Sequence, residues 1–306
     1  MRYAQCVIRA GFLRNPFQYG GVVGGAQFCN RRQELTDLRR AMENAEKLFV
    51  YSERRLGKTS LIKHALSKLP KREYATAYVD LWATDNESSF VTATAKAIAE
   101  SMGRTTAQLL DTGKRLFSRL LPNVTLDDEG KPKISFSLKS DAAPRPEIEE
   151  VLEAPAKVAD HTEKKVVVIF DEVQRILEYN GDQIERRLRS TIQTHTRVSY
   201  IFMGSRKHLV QEMFLNKSRP LYRAAGHYPL GPIDTREWLP FIQEKFAAGD
   251  KPIKEEIVRA ICDLTQGHPF YTQHLCHALW ELAEPGAEVR ANLIELAVKV
   301  LLDRES

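Results

Sequence analysis

The chain has little of what marks a membrane, secreted or disulfide-stapled protein. None of its 306 residues lies in an apolar run approaching the roughly 18 residues that a membrane-spanning helix needs. The N-terminus lacks the charged, apolar and small-residue order of a secretory signal. Its four cysteines are scattered without C-x-x-C spacing, which favours reduced structural thiols over a metal site or a disulfide framework. We therefore expect no membrane partner and a cytoplasmic location.

Two further absences narrow the class of fold. The glycines of residues 1–30 do not form G-x-G-x-x-G after a strand, so no dinucleotide fingerprint is predicted. No repeat with a period of about 20 to 50 residues is present. The composition, 43% hydrophobic and 28% charged, is that of a globular protein, and the length fits one large domain or two smaller ones.

The first informative stretch is KLFVYSERRLGKTSLIKHAL, residues 47–66. It predicts a short strand, a loop that ends in Gly57, Lys58 and Thr59, and a helix. Backbone N–H groups of such a turn and the dipole of the helix favour a bound polyphosphate. Lys58 would contact the β- and γ-phosphates, and the Thr59 hydroxyl would ligate magnesium. A strand, turn and helix with a merely exposed lysine is the alternative.

This loop departs at one position from the phosphate-loop pattern G-x-x-x-x-G-K-[ST]. Ser52 stands where the pattern has its first glycine. Glycine adopts positive φ or allows a close backbone approach freely, whereas serine does so at a cost. The serine therefore motivates an expectation of slow turnover.

The second informative stretch is EKKVVVIFDEVQRIL. The apolar run 166–170 predicts a strand buried on both faces, and it ends in Asp171 and Glu172. Open α/β sheets bind ligands at the carboxyl ends of their strands. Asp171 would there hold hydrated magnesium, and Glu172 would orient the attacking water. The alternative is that Asp171 caps the next helix.

Another buried strand, VSYIFMGS, ends beside Ser205 and Arg206. A polar or cationic side chain at this place could sense the γ-phosphate. Equally, Ser205 could cap the next helix and leave Arg206 in solvent. A separate cluster of seven Lys or Arg against one acid, residues 52–72, could serve ATP, attract nucleic acid or form a solvated face.

The order of elements predicts the fold class. Strand, helix and strand in succession indicate a parallel α/β sheet. Residues 123–138 predict an inserted β-hairpin. We expect a helix capped by Ser88 and Ser89, a helix over 106–121 ended by Pro122, and an interrupted surface helix over 141–160. From residue 235 the pattern is helical, with a joint at residues 267–269 where glycine ends one helix and proline begins the next.

With these motifs named, the chain resembles the archaeal-type P-loop ATPases, in the STAND branch of the AAA-related ATPases. The resemblance covers most of the chain. Its supports are NPF, FCNRRQEL, SERRLGKTSL, VVVIFDEVQ, FMGSRKHL, PLYRAAGHYPLGPI and LTQGHPFYTQHLC. The departures are Ser52 and Asn30, each in place of a usual glycine.

The resemblance implies a P-loop NTPase core with a parallel sheet flanked by helices, the hairpin insertion and a C-terminal all-helical lid. It implies a lead-in over 1–45 that borders the nucleotide, a core over 46–232 and a lid over 233–306. Relatives commonly carry a winged-helix or effector region after the lid. That region is expected to be absent, truncated or supplied by another polypeptide.

The resemblance also implies the site and its cofactors, ATP or ADP with Mg²⁺. Arg206 resembles the γ-phosphate sensor, and Arg223 an arginine finger that acts in cis or from a neighbour. His268 and Pro269 resemble a motif closing over base and ribose. The implied catalytic residues are Lys58, Asp171, Glu172, Arg206 and Arg223. Thr59 and Asp171 are the implied magnesium ligands. The implied nucleotide-binding residues are Asn30, Arg31, Ser52, Arg55, Leu56, Gly57, Lys58, Thr59, Ser60, His268 and Pro269.

We expect a Mg-dependent ATPase that acts as a nucleotide-driven switch on a protein partner or on a second copy of itself. One alternative is a DNA-associated ATPase that loads or remodels, motivated by the basic cluster and by the arginines at 186, 187 and 189. The other is a module that holds ADP tightly with little turnover, motivated by Ser52.

Overall fold

The computed structural model describes residues 14–29, 31–103, 105–139, 145–179 and 181–305. Its strands are β1 (Lys47–Tyr51), β2 (Tyr74–Asp80), β3 (Leu120–Leu126), β4 (Pro132–Leu138), β5 (Lys165–Asp171), β6 (Val198–Gly204) and β7 (Gly226–Pro229). Its helices are α1 (Arg32–Glu43), α2 (Lys58–Ser67), α3 (Glu87–Met102), α4 (Thr106–Leu116), α5 (Arg145–Thr162), α6 (Gln183–Thr194), α7 (Lys207–Leu215), α8 (Thr235–Ala248), α9 (Glu255–Thr265), α10 (Pro269–Leu282) and α11 (Asn292–Glu305).

The chain forms two compact units, each with its own core. The sheet unit comprises residues 33–54 and 62–230, and the helical unit comprises residues 1–32, 55–61 and 231–306. The functional division at residues 45 and 232 inferred from the sequence stays a prediction.

The sheet unit is built on five parallel strands in the order β2, β5, β6, β1, β7. β5 and β6 are buried along almost their whole length, as their apolar sequences predict. Since parallel strands run in the same direction, Tyr51, Asp80, Asp171 and Gly204 lie at one edge of the sheet. The predicted parallel α/β class is confirmed.

β3 and β4 form the predicted hairpin, an antiparallel pair in which Leu120 faces Leu138. The preceding helix prediction was wrong at its end. α4 stops at Leu116, and Pro122 lies inside β3. A two-stranded sheet tolerates this proline because each strand is an edge, where a missing N–H costs little.

Two other helix predictions need correction. α3 is capped by Asn86, whose side chain accepts from the Ser89 N–H in a capping box, so Ser88 and Ser89 lie inside the helix. α5 is one helix that continues through Pro155, and it is not confined to the surface. It buries a full apolar stripe that holds the helix in place: Ile148, Val151, Leu152, Ala154, Val158 and Ala159.

The helical unit packs α8 to α11 around Trp238, Phe246 and Leu279, which are fully buried. Phe17 from the N-terminal segment joins this core and lies 5.2 Å, centroid to centroid, from Phe246. The same segment lies along α10, where the Asn15 amide donates to the His277 carbonyl. The described part of the lead-in before residue 33 therefore belongs to the helical unit, whereas residues 33–45 belong to the sheet unit.

The predicted joint between α9 and α10 is confirmed. Gln266 and Gly267 both have positive φ, and Pro269 is the first residue of α10. A Cβ at position 267 would lie 2.3 Å from the Ile233 carbonyl oxygen. The Gly267 carbonyl accepts from the Ile233 N–H at 3.0 Å and from Trp238 Nε1 at 3.1 Å. Glycine is therefore required here by conformation and by space.

Cys29, Cys262 and Cys276 are buried free thiols in the helical unit, and Cys6 lies outside the described residues. Burial raises the pKa of Cys262 to about 11, which keeps it protonated. Among the described helices, none combines the length and apolar character that crossing a membrane requires.

Candidate nucleotide site

Asp171 ends β5 as a buried carboxylate, only 7% exposed. The Tyr78 hydroxyl on neighbouring β2 donates to its Oδ2, and the Glu172 N–H donates to its Oδ1 at 2.9 Å. Burial raises the pKa of Asp171, and the Tyr78 bond partly offsets that rise. Oxygen ligands of this kind suit Mg²⁺, and a bound cation would stabilise the charged carboxylate. Asp171 therefore fits the predicted metal role.

Glu172 stands just past the strand with a left-handed backbone, φ 54° and ψ 40°. Its Oε2 accepts from the Ser205 hydroxyl at 2.8 Å and from the Ser205 N–H at 3.4 Å. The Gln174 amide donates to the same oxygen. Glu172 is the N-cap residue of the 3-10 turn Val173–Glu178, and no side chain caps that turn. The side chains of the acidic pair thus do not serve as a helix cap.

The structure contradicts one of the two interpretations of Ser205, that of a helix cap. The Ser205 hydroxyl is directed to Glu172, and α7 begins without a side-chain cap. The guanidinium of Arg206 lies 3.4 Å from Glu178 on the 3-10 turn, in an exposed position. Its role as a γ-phosphate sensor stays a prediction.

The predicted phosphate loop lies partly in the helical unit, over residues 55–61. Arg55 and Gly57 both have positive φ, and α2 begins at Lys58. Turns of this kind can direct successive N–H groups toward one side and create an anion-binding concavity. The loop therefore has the backbone form that phosphate binding needs.

Ser52 does not adopt positive φ. Its side chain is buried, and the hydroxyl donates to the Glu53 carbonyl at 2.8 Å. The serine consequently carries none of the conformational strain that motivated the expectation of slow turnover. Turnover rate stays a prediction.

Arg31 holds the phosphate loop to other parts of the helical unit. Its guanidinium donates to the Leu56 carbonyl at 3.0 Å and to the Gly231 carbonyl at 2.9 Å, and its side chain is only 2% exposed. Its N–H donates to Glu237 on α8 at 3.1 Å. These contacts give Arg31 a structural role, which the sequence did not indicate. Asn30, predicted to border the adenine, lies outside the described residues.

Two further contacts join the loop to its unit. The Arg55 guanidinium lies over the Phe270 ring, 4.2 Å from its centroid. The Ser60 hydroxyl accepts from the Val23 N–H at 2.9 Å. Phe270 is on α10 and directly follows His268 and Pro269. The phosphate loop therefore contacts the residue that follows the implied lid motif. The His268 ring itself packs on Tyr271 at 4.7 Å.

Arg223 is exposed and has positive φ, with its guanidinium 5.2 Å from the Tyr222 ring centroid. Its loop is anchored on α6, where Arg189 donates to the Tyr222 carbonyl and Arg219 pairs with buried Glu185. The loop is thus anchored while the Arg223 side chain is exposed, and its role as an arginine finger stays a prediction.

The arginines of α6 that motivated the DNA alternative have intramolecular partners. Arg186 pairs with Asp182 at 2.7 Å, Arg187 pairs with Glu149, and Arg189 donates a hydrogen bond to the Tyr222 carbonyl. These charges are therefore partly neutralised within the sheet unit, which weakens the case for a phosphate-binding face on α6.

Three residues around the acidic pair were missed as site residues. Tyr78 and Gln174 bond the two carboxylates, and Gly204 makes room for Gln174. A Cβ at Gly204 would lie 2.2 Å from Gln174 Oε1 and 2.3 Å from a methyl of Val210. The motif Asp-Glu-x-Gln held the only sequence signal, since it places Gln174 two residues after Glu172.

A parallel sheet in which one strand separates the loop-bearing strand from the acidic strand, with Gly-Lys-Thr opening a helix, defines the P-loop NTPase class. Residues 28–275 match the family described as an ATPase domain predominantly from Archaea. The chain belongs to this family.

Solved structures share the fold. A Walker-type ATPase of Pyrococcus abyssi is similar with a TM-score of 0.64 and 16% identity, over 95% of this chain and 76% of that one. The ORC2 protein of Aeropyrum pernix in its ADPNP and ADP complexes has a TM-score of 0.56 and 15% identity, over 94% and 71%. The ORC1 protein of Aeropyrum pernix in complex with DNA has a TM-score of 0.55 and 14% identity, over 90% and 66%. No curated protein sequence matches the chain.

Proposed function

We propose that this ATPase domain is a magnesium-dependent switch that hydrolyses ATP and changes the state of a partner. The observation that carries the proposal is the acidic pair at the carboxyl end of β5, where Asp171 is buried and Glu172 is held by neighbouring side chains. Family membership and the Gly57–Lys58–Thr59 loop support it.

In this proposal residues 57–60 bind the phosphates, while Thr59 and Asp171 hold Mg²⁺. When bound there, Mg²⁺ would neutralise charge on the phosphates. Glu172 orients a water whose oxygen bonds to the γ-phosphorus as the bond to ADP breaks, and it accepts the water's proton. Arg206 and Arg223 are the cationic groups available to the γ-phosphate, Arg223 in cis or from another copy.

The contacts inside the helical unit support a switch. Arg31 bonds the loop carbonyl of Leu56, and Arg55 packs on Phe270 of α10. A change in the loop on nucleotide binding would therefore alter the environment of residue 231 and of α10. Binding energy that differs between two arrangements of these elements biases their populations.

The direct test compares Lys58→Ala and Glu172→Gln with the wild type. We expect Lys58→Ala to lose ATP binding, and Glu172→Gln to bind Mg·ATP while hydrolysis falls by about 100-fold or more. Lys68→Ala is the matched control, because Lys68 is an exposed lysine that directly follows α2, the helix that Lys58 begins. Equilibrium binding of a fluorescent ATP analogue and phosphate release provide the two readouts. Unchanged hydrolysis in both variants would refute the proposal.

A DNA-associated ATPase is the second candidate, favoured by the basic cluster in residues 52–72. The similar ORC1 structure is in complex with DNA, which supports DNA as the partner in this second candidate. A true DNA site would bind duplex at low salt, lose affinity steeply as salt rises, and stimulate hydrolysis. Failure of duplex DNA either to bind at low salt or to change turnover would dismiss it.

The third candidate is a module that holds ADP with little turnover. Ser52 motivated it, yet the unstrained backbone at that residue now removes its conformational basis. Chromatography of the denatured protein would detect copurified ADP. A nucleotide-free protein with rapid turnover would rule this candidate out.

A further inference from the structure

The carboxylate of Glu172 is oriented from two sides of the sheet edge. One oxygen, Oε2, accepts from the Ser205 hydroxyl at 2.8 Å, from the Ser205 N–H at 3.4 Å and from the Gln174 amide. Glu172 has a left-handed backbone, so no regular helix or strand directs its side chain. Its orientation therefore depends on Ser205 and Gln174.

Gln174 is itself fixed tightly. Its side chain is 1% exposed, and it occupies space that the missing Cβ of Gly204 leaves open. Its Oε1 is buried without a hydrogen-bond partner among the described residues. Burial of an amide oxygen without a partner is unfavourable, so an apolar side chain would serve packing better. The one bond that justifies an amide here is the one to Glu172.

Ser205 has a comparable position on the neighbouring strand. It follows β6 directly, and β6 pairs with β5, which carries the acidic pair. Its hydroxyl does not cap α7, so the bond to Glu172 is the use that the structure gives it.

We propose that Gln174 and Ser205 are positioning residues for Glu172, and that Ser205 acts through Glu172 and not on the γ-phosphate. The two donors hold the carboxylate in the orientation from which it directs the attacking water. This inference rests on the proposed ATPase function, adds Gln174 to the site and gives Ser205 a role other than contact with the γ-phosphate.

The primary test uses Ser205→Ala, Ser205→Thr and Gln174→Met. Outer groups that orient a catalytic side chain typically contribute about 10- to 100-fold to activity. We expect kcat to fall by that factor in Ser205→Ala and in Gln174→Met, with KM for ATP and the affinity for ATP relative to ADP unchanged. Ser205→Thr keeps the hydroxyl and should remain within about threefold of the wild type. A rise in kcat in either deletion would overturn the proposal, because the donors would then restrain Glu172.

A double-mutant cycle separates action through Glu172 from direct contact with the phosphate. In the Glu172→Gln background, Ser205→Ala should cause no more than about a twofold further loss, since residues that act as one unit are not additive. A full further loss, together with weaker ATP binding relative to ADP, would show direct phosphate contact and overturn the inference. Ser205 is only half-buried, so Ser205→Ala tests the proposal even where Gln174→Met unfolds the chain.

The same measurements distinguish failure of the proposed ATPase function from failure of the positioning role alone. If the wild type does not hydrolyse ATP, the proposed function fails and this inference fails with it. If Glu172→Gln is fully active while Lys58→Ala is inactive, the ATPase function stands and this inference alone is refuted. If Glu172→Gln is slow while the Ser205 loss is additive, only the positioning role is refuted.

Discussion

The two units hold their functional residues in different ways. In the sheet unit the acidic pair is held by side chains, with Tyr78 on Asp171 and Gln174 with Ser205 on Glu172. In the helical unit the phosphate loop is held partly through its backbone, by Arg31 on the Leu56 carbonyl, and partly through the side chains of Arg55 and Ser60. A side-chain network fixes one orientation of a catalytic group, whereas backbone ties make a loop respond to the packing of its neighbours. The orientation of the acidic pair therefore depends on a few neighbouring side chains, whereas the position of the loop depends on packing within the helical unit.

The largest effect should come from Gly267→Ala, which should lower the stability of the helical unit alone. Positive φ and the approach to the Ile233 carbonyl leave no room for a methyl group, and we expect a loss of about 4 kcal/mol in the stability of that unit. Hydrogen exchange should rise across α8 to α11 and remain low in β5 and β6. Gly231→Ala, where a Cβ meets no atom within 4 Å, is the control. Equal loss of protection from exchange in both units would contradict the claim that the two units are stabilised separately.

Arg31→Met should have the next largest effect. It removes two charge-assisted bonds to buried carbonyls while it keeps a long apolar side chain, which predicts a loss of about 3 kcal/mol. Because one of those carbonyls belongs to the phosphate loop, ATP affinity should also fall. Urea unfolding and ATP titration measure the two effects, with Arg32→Met at the exposed neighbouring position as the reference. Normal ATP affinity in a destabilised Arg31→Met protein would show that the loop does not depend on this tie.

The contact of Arg55 with Phe270 should contribute about 0.5 to 1 kcal/mol, as for other exposed cation–π pairs. A double-mutant cycle with Arg55→Met and Phe270→Leu measures this coupling in ATP binding as well as in stability. The comparison between the units becomes sharper if the coupling differs between the ATP-bound and ADP-bound protein. Equal coupling in both states would mean that this contact does not report the nucleotide.

The smallest effect concerns pH and the buried Glu185 of the sheet unit. Burial raises the pKa of Glu185 above its ordinary value of 4.5, and Arg219 only partly opposes the rise. A carboxyl with a raised folded-state pKa binds its proton more readily when folded, so its ionisation costs stability as pH rises from 4.5 through the folded-state pKa. The stability advantage of the wild type over Glu185→Gln should accordingly shrink with rising pH. Urea unfolding of both proteins between pH 4.5 and pH 7 checks the sign, and a growing advantage would contradict it.

Much of the fold was predictable because its patterns are local. The apolar runs of β5 and β6 fix two buried strands, and the joint at Gly267 and Pro269 is a property of adjacent residues. The roles of Arg31 and Ser205 were not predictable, because both depend on distant partners. Arg31 donates to a carbonyl 200 residues away, and Ser205, after β6, donates to Glu172 after the neighbouring strand β5. Local rules suggested a helix cap for Ser205, and the tertiary partner overrode them.

Pro155 and Ser52 also show that local sequence rules do not account for tertiary packing or for the actual backbone angles. Pro155 reads as a helix breaker, but the buried face of α5 compensates for its lost N–H bond. Ser52 reads as a strained substitute for glycine, but its backbone needs no positive φ. In both cases the local rule was sound, and the free energy of packing or the actual backbone angle decided the outcome.

The N-terminal segment has a consequence for the order of events during synthesis. Asn15 bonds the carbonyl of His277, 262 residues later, and Phe17 packs among residues of α8. Residues 33–54 and 62–230 leave the ribosome between these partners, and they contain the whole sheet unit. Domains fold as their residues emerge, and contacts between distant residues form late. We therefore expect newborn chains to complete the sheet unit first and to close the helical unit only after α8 to α11 have left the ribosome.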